Sequence, residues 1–503
     1  MLKLMKNKYK LVFYLLFTIG LGISLITAKV YSQDLITSLI EISLNDVSRL
    51  AIENSLDIQI AQYDTYISRT SLDDALSIFD TIFTAEAVYN RDKKNQTSSL
   101  AGSDTKKHSF SLGLEKKLST GTTLSLDATA TKTKTRTNSN SIDSSLNLYN
   151  EALVGLTIKQ ELGKNFFGLA DRADIKLTKL DIENSEFTSL DDIEEIIYKA
   201  QKAYWNLVLK NEEVAIRGNI FEAAKRLHEI YKNKYSIGLV EESELLAIEA
   251  LVYTRDSDLT VARLNQETVK NDLLFLLNRG DFKDKVKPKD QLSSEPAIVN
   301  LYQALEEAIN SRRDYKRIKN ELKKSEIYLV VNKNALWPQI DLEATFARNN
   351  INSQRSSAWE GIPNNSNDQI ALTLTIEVPL ENREAKSELE KTRLEDAQLL
   401  IRLKRIERLI LQEINDKVNQ VNSSDNQIKL YQSIIKLHQR KLDSQIKRIG
   451  YGRSNADTLI QYEDDLLKAR LALATNFYVY RISLIELDLA KNVLLDKHWK
   501  EPL

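Results

Sequence analysis

Two hydrophobic periods divide this chain. Apolar residues fall at every second position in four early stretches: Phe83 to Tyr89, Phe110 to Leu114, Leu124 to Ala130, and Ala152 to Ile158. The period returns at Ile340, Leu342, Ala344 and Phe346, and at Ile370, Leu372, Leu374, Ile376 and Val378. Alternation of this kind makes a strand with one apolar and one polar face, so six strands are predicted. Elsewhere the spacing becomes three and four, as at Ile406, Ile410, Ile414, Val418 and Val421. That spacing predicts single helices over 171–233 and 384–447. Each would be roughly 90–100 Å long by the helical rise. Helices of that length outgrow a globular domain and call for coiled-coil packing.

The pattern is also repeated. At a constant offset of 257 positions, Glu86 matches Glu343, Ala87 matches Ala344, Tyr89 matches Phe346 and Arg91 matches Arg348. Upstream at the same offset, Leu44, Ala51, Ile52 and Asp57 match Leu301, Ala308, Ile309 and Asp314. A second junction aligns without gaps: LVGLTIKQELG (153–163) over ALTLTIEVPLE (371–381). Each long helix then meets a glycine turn, at Gly238 and Gly452, and a returning helix follows. Glycine permits the left-handed conformation that ends a helix. Glu241 or Ser243 in the first turn, and Ser454 or Asn455 in the second, are candidate caps for the returning helices. The chain therefore reads as two copies of helix, strands, long helix, turn and helix. The expected organisation is a signal peptide at 1–32, a first repeat at 33–280 with strands in 83–160, a linker at 281–300, a second repeat at 301–496 with strands in 340–378, and a tail at 497–503. The linker holds Pro288 and Pro296, and no proline precedes Pro288.

Composition narrows the class. Lys3, Lys6, Lys8 and Lys10 precede the apolar run of 11–28, with Val30 and Ser32 at cleavage-site spacing, which predicts export. The chain has no cysteine, which removes disulfides, thiol catalysis and Cys-ligated metal. Seventy basic side chains balance 71 acidic ones, giving no electrostatic case for nucleic acid. His108, His228, His438 and His498 show no metal or triad spacing, and no phosphate-cradling loop is present in the mature chain. No catalytic, cofactor or metal site is expected, and the chain is read as not an enzyme. Tyr204, Trp205 and Phe275 are expected in the core. Tyr31, Tyr89, Tyr149 and Trp359 are candidates for an interfacial aromatic girdle.

The strands point to a membrane. Long polar connections (TRTNSNSIDSSLNLYN and RNNINSQRSSAWEGIPNNSND) contrast with a tight turn at Ser119–Gly121. This asymmetry marks an outer-membrane barrel with apolar residues facing lipid. Single-chain barrels start at about eight strands, and open edges do not survive in hydrocarbon. Six strands must therefore close with neighbouring chains.

With these features in order, the sequence resembles the TolC-like outer-membrane efflux proteins. The matching segments are LNDVSRLAIENSLD (44–57), LYQALEEAINSRRD (301–314), NALWPQIDLEATF, the strand-to-helix junctions and both hairpins. The resemblance implies a fold of mixed α and transmembrane β. Long antiparallel helical hairpins would form a periplasmic α-barrel, and an outer-membrane β-barrel would be closed by oligomerisation. It further implies a homotrimer in outer-membrane lipid that serves as the exit duct of a tripartite efflux or type I secretion system. A periplasmic adaptor and an inner-membrane efflux pump or secretion transporter would be its partners. The alternative is an exported coiled-coil structural or adhesive protein with a soluble β domain. The family pattern has four strands per protomer, whereas this chain has an extra hairpin at 108–131. Family members often carry two aspartates just after the second turn glycine. Here those positions are Thr458 and Gln461, with Asp457 one residue off, so that gate is not carried over. The candidate turn and tunnel-entrance residues are Gly238, Glu241, Glu242, Glu244, Gly452, Asp457, Thr458 and Gln461. Glu463, Asp464 and Asp465 are further acidic candidates for an entrance ring.

Overall fold

The computed structural model describes residues 39–94, 104–136, 148–279, 285–293, 299–450 and 455–498. The expected signal peptide at 1–32, Tyr31, Gly452 and Ser454 lie outside them. Helices of matched length carry the repeat. Helices α1 (Leu44–Asn54) and α2 (Leu56–Leu76) correspond to α5 (Leu301–Ser311) and α6 (Arg313–Asn334). The helix breaks at Ser55 in one copy (φ −62°, ψ 128°) and at Arg312 in the other (φ −58°, ψ 123°), 257 positions apart. Long helices α3 (Leu169–Ser236) and α8 (Arg383–Gly450) have 68 residues each. Their returning partners α4 (Glu242–Leu276) and α9 (Ala456–Ala490) have 35 each.

The strands follow the predicted alternation. In chain order they are β2 (Thr81–Asp92), β3 (Asp104–Lys117), β4 (Thr122–Arg136), β5 (Leu148–Glu161), β7 (Gln339–Asn352) and β8 (Asp368–Glu377). They form one antiparallel sheet in the order β2-β3-β4-β5-β7-β8. Register carries the apolar face across every strand: Phe83, Leu114, Leu126, Leu156, Phe346 and Ile370 are successive partners. The neighbouring positions, Thr84, Gly113, Asp127, Gly155, Ala347 and Gln369, make a row on the opposite face. Arg91 and Arg348, equivalent in the repeat, each make two hydrogen bonds to the aspartate opening the next strand, Asp104 and Asp368. That shared role accounts for the Glu-Ala-x-aromatic-x-Arg recurrence at its arginine. Among the described residues, β2 and β8 each leave one edge unpaired.

The tight turn packs against the helical end of the sheet. Gly121 and Gly168 both have φ +70°, and a Cβ on Gly121 would stand 2.6 Å from the Gly168 nitrogen. Arg172 donates to the Ser119 carbonyl at 2.8 Å, and Lys117 pairs with Asp171 at 2.7 Å. The long connections therefore lie at the far end of the strands.

The helices meet in a central core. Ile193, Ile197, Tyr204 and Leu207 of α3 pack with Ile58 of α2, Leu273 of α4 and Ile485 of α9. The α8 stripe read from the sequence, Ile410 to Val421, packs on Ala304, Ala308, Tyr480 and Leu487. Glu194 is fully buried on α3, and Arg313 donates to it at 2.6 Å. Asn492 (2.8 Å) and the Leu495 amide (3.1 Å) complete its shell, clasping α10 (Leu494–His498) to the bundle.

Two expectations, for Phe275 and Tyr149, need correction, and the linker region carries structure of its own. Within the 281–300 linker, Lys285–Pro288 form β6, which pairs in parallel with β1 (Leu39–Ile42). Asp290 just after it accepts both the Tyr204 hydroxyl (2.6 Å) and the Leu44 amide (2.8 Å). Phe275 is not core but 74% exposed, because the buried positions near the end of α4 are Leu273, Leu274 and Leu277. Tyr149 pairs with Thr133, so it lies on the sheet face opposite Tyr89 and outside an apolar-face girdle.

Removing Arg313 leaves the buried Glu194 carboxylate without its cation. Breaking such a pair costs about 3–5 kcal/mol. Arg313→Met is expected to lower the denaturant midpoint of helix unfolding by circular dichroism, and adding Glu194→Gln is expected to restore part of the loss.

Candidate functional site at the hairpin tips

The ends of α3 and α8 lie farthest from the sheet, because each long helix starts at a strand and runs about 100 Å to its turn. At the first tip, the Leu239 amide bonds the Lys234 carbonyl at 2.9 Å and the Gly238 amide bonds Tyr235 at 3.0 Å. Gly238 takes φ +72°, with no atom within 4 Å of the position its Cβ would occupy. Glycine is thus needed there for backbone conformation, not for space. Ile237 and Leu239, 69% and 68% exposed, stand on either side of it.

Glu241 occupies the cap position of α4 without a side-chain capping bond, and Ser243 donates to Glu241 instead of to the helix. Neither predicted cap in this turn works through its side chain. Glu242 and Glu244 lie in the first turn of α4, where the helix dipole favours negative charge. Glu244 also crosses to the other hairpin: its Oε1 accepts the Ala456 amide at 3.4 Å, at the start of α9. Beneath this contact Tyr231, Ile248 and Ala456 form a small buried core. Burial, with the nearby Glu244 carboxylate, pushes the Tyr231 hydroxyl up to about 12.

At the second tip Asn455 is the working cap. Its Oδ1 accepts the Thr458 amide (3.1 Å) and hydroxyl (2.5 Å). Asp457 and Gln461 are exposed and Thr458 is half-buried. The two tips therefore bring Glu244 and the start of α9 together, while Glu241, Glu242, Asp457 and Gln461 face outward as separate groups. Glu463, Asp464 and Asp465 are engaged within the bundle. Glu463 is buried, Asp464 pairs with Arg255 of α4, and Asp465 pairs with Lys441 of α8 at 3.0 Å.

Arg255 was not singled out by the sequence reading. It is buried, and it links α4 to α9 through Asp464, while Asp258 joins it to Arg217 of α3. Its partner in α9 lies 209 positions away, so no local spacing marks it. Among the described residues no group of three or more His, Cys, Asp or Glu is arranged to hold a metal. No described helix is long and apolar enough to cross a membrane.

Burial raises the Glu463 carboxyl above its ordinary value of 4.5, against an opposing pull from Arg255. The folded bundle then binds this proton more tightly than the unfolded chain does. The contribution is present below the ordinary glutamate value and is lost as pH rises through the raised one. Glu463→Gln is expected to raise the unfolding midpoint at pH 7 and to flatten its decline above pH 4.5, measured by thermal melts of the helical signal.

Comparison with known proteins places this arrangement. Residues 304–492 match the family model for outer membrane efflux proteins. No curated protein matches the chain. Among solved structures, the Campylobacter jejuni CmeC outer membrane channel shares 16% identity at a TM-score of 0.64, over 89% of this chain and 85% of that one. The outer membrane protein VceC of Vibrio cholerae shares 14% at 0.64, over 89% and 96%. The open state of the Neisseria gonorrhoeae MtrE outer membrane channel shares 16% at 0.62, over 89% and 88%. Residues 304–492 thus resemble the outer membrane efflux proteins, and the chain shares the fold of these solved outer membrane channels.

Proposed function

We propose that this chain is the outer-membrane exit duct of a tripartite efflux or secretion system. Three copies would form it, with their sheets closing one barrel and their hairpins one periplasmic tunnel. The observation that carries the reading is the six-stranded sheet with a continuous apolar face, set on hairpins about 100 Å long. Such a face suits lipid, and its two unpaired edges suit closure by further copies. Strand number is compatible with this. With six strands per sheet, β8 of one copy runs antiparallel to β2 of the next, so closure needs no parallel seam. Three sheets of six would give eighteen strands, two more per protomer than the family pattern. The additional pair, β3 and β4, shares the apolar row and so belongs to the wall rather than to a plug.

The hairpin tips would meet the periplasmic adaptor, and through it the inner-membrane pump or transporter. Exposed Ile237 and Leu239 beside Gly238 offer apolar contact, and Glu241, Glu242 and Asp457 offer charge around it. The structural or adhesive alternative has no support from the family match or from the fold.

The absence of cysteine permits a clean labelling test. Ser111 and Leu112 are neighbours on β3 that face opposite sides of the sheet. In planar bilayers, Ser111→Cys is expected to react with a charged, membrane-impermeant thiol reagent and to lower single-channel conductance in discrete steps. Leu112→Cys is expected to stay unmodified until the bilayer is dissolved. Equal reaction at both positions, or no conducting steps from the parent protein, contradicts the reading.

A further inference from the structure

The apolar band of the sheet ends at the row of Ala87, Phe110, Ala130 and Ala152. The next row on the same face holds Tyr89 and His108, whose rings are 4.8 Å apart, with Lys132 opposite His108. One row farther on, Arg91, Lys106 and Lys134 are direct cross-strand partners. Three cations in one row are unfavourable on their own, since like charges directly opposite repel. Asp104 lies on this face, and Arg91 already holds it through two bonds of 2.9 and 2.5 Å. Lys106 feels Asp104 only at longer range, as does Lys93 beyond β2. Lys132 and Lys134 are exposed, with no hydrogen bond or ion pair among the described residues. Among the described residues, Glu151 and Asp92 are the other nearby carboxylates, and their register partners Thr131 and Thr105 place them on the opposite face.

We propose that Lys106, Lys132 and Lys134 form a binding site for the phosphate groups of an outer-leaflet glycolipid. The proposal rests on the barrel reading above. Lys132 lies two residues beyond the apolar band, and Lys106 and Lys134 lie four beyond it. Those steps are about 7 and 14 Å along a strand, and less in height once the strand tilts. The headgroup layer adds several Å to each side of the hydrocarbon, so Lys132 lies within it and Lys106 and Lys134 at its outer margin. The cluster also lies at the long-connection end, away from the Ser119–Gly121 turn that packs on α3, which puts it in the outer leaflet. Lysines reach such groups as point charges on flexible stems, and the aromatic row beneath suits the interface. A phosphorylated lipid would relieve the repulsion that the sheet alone leaves uncompensated.

The test uses the full-length assembly in phosphatidylcholine nanodiscs, titrated with lipid A and read by native mass spectrometry. The combined variant Lys106→Gln, Lys132→Gln and Lys134→Gln is expected to weaken lipid A binding on the order of a hundredfold. Lys107→Gln, on the opposite face of β3, is expected to leave it unchanged. Dephosphorylated lipid A should bind the parent protein no better than lipid A binds the triple variant, and millimolar inorganic phosphate should not displace lipid A. Equal lipid A binding by the triple variant overturns the proposal, as does indifference to dephosphorylation. Displacement by free phosphate overturns its lipid source. Protein that never inserts into the discs overturns the barrel reading itself, whereas an inserted assembly with no lipid A preference overturns this site alone.

Discussion

In hydrocarbon an unpaired backbone amide or carbonyl costs several kcal/mol, and no water is present to satisfy it. A strand can enter a bilayer only as part of a closed sheet. Among the described residues this chain supplies a sheet of six strands with an apolar face and leaves both outer edges of that sheet unpaired. In the barrel proposed above, its other features follow from that constraint. The apolar row must be continuous, because one polar strand would break the lipid-facing belt. Register keeps it so from Phe83 to Ile370. The strand count must be even for identical copies to close without a parallel seam, and it is.

The helices answer a different demand, reach. Two pairs of equal length, 68 and 35 residues, come from the two repeats. The upstream helices repeat at an offset of 257, but the long hairpins repeat at 214. The difference is taken up mainly by β3, β4 and their connections, an addition made wholly within the first strand region. The sheet could grow without disturbing the helices because both attach through the same short junctions. Gly121 and Gly168 permit the close approach at one of them. The hairpins are then tied together at the centre and at the tips. Glu194 holds α3, α6 and the C-terminal helix at the centre, and Glu244 joins the two tips.

Much of this was legible in the sequence, for physical reasons. Strict alternation over five or more residues marks a strand whose faces see different solvents, and every stretch that showed it contributes to the sheet. The absence of proline before Pro288 left α3 free to run unbroken. What escaped notice was short or distant. Strands β1 and β6 have four residues each, too few for a period to show. Arg255 and Asp464 meet only because α4 and α9 pack together, and sequence spacing holds no trace of that. Phe275 was misread because one aromatic on a helix does not reveal its face, which here is set by Leu273, Leu274 and Leu277. The tip residues divided likewise. The glycine turn and the Asn455 cap follow from local chemistry, whereas the reach of Glu244 to α9 depends on tertiary packing.

The claim on which all of this depends is that identical chains close the sheet. Native mass spectrometry of the detergent-extracted protein tests it most directly, because the mass of the stripped assembly counts its chains. The account predicts three copies, recovered from the outer-membrane fraction. A single chain, stable in the soluble periplasmic fraction with its sheet edges unpaired, would contradict it.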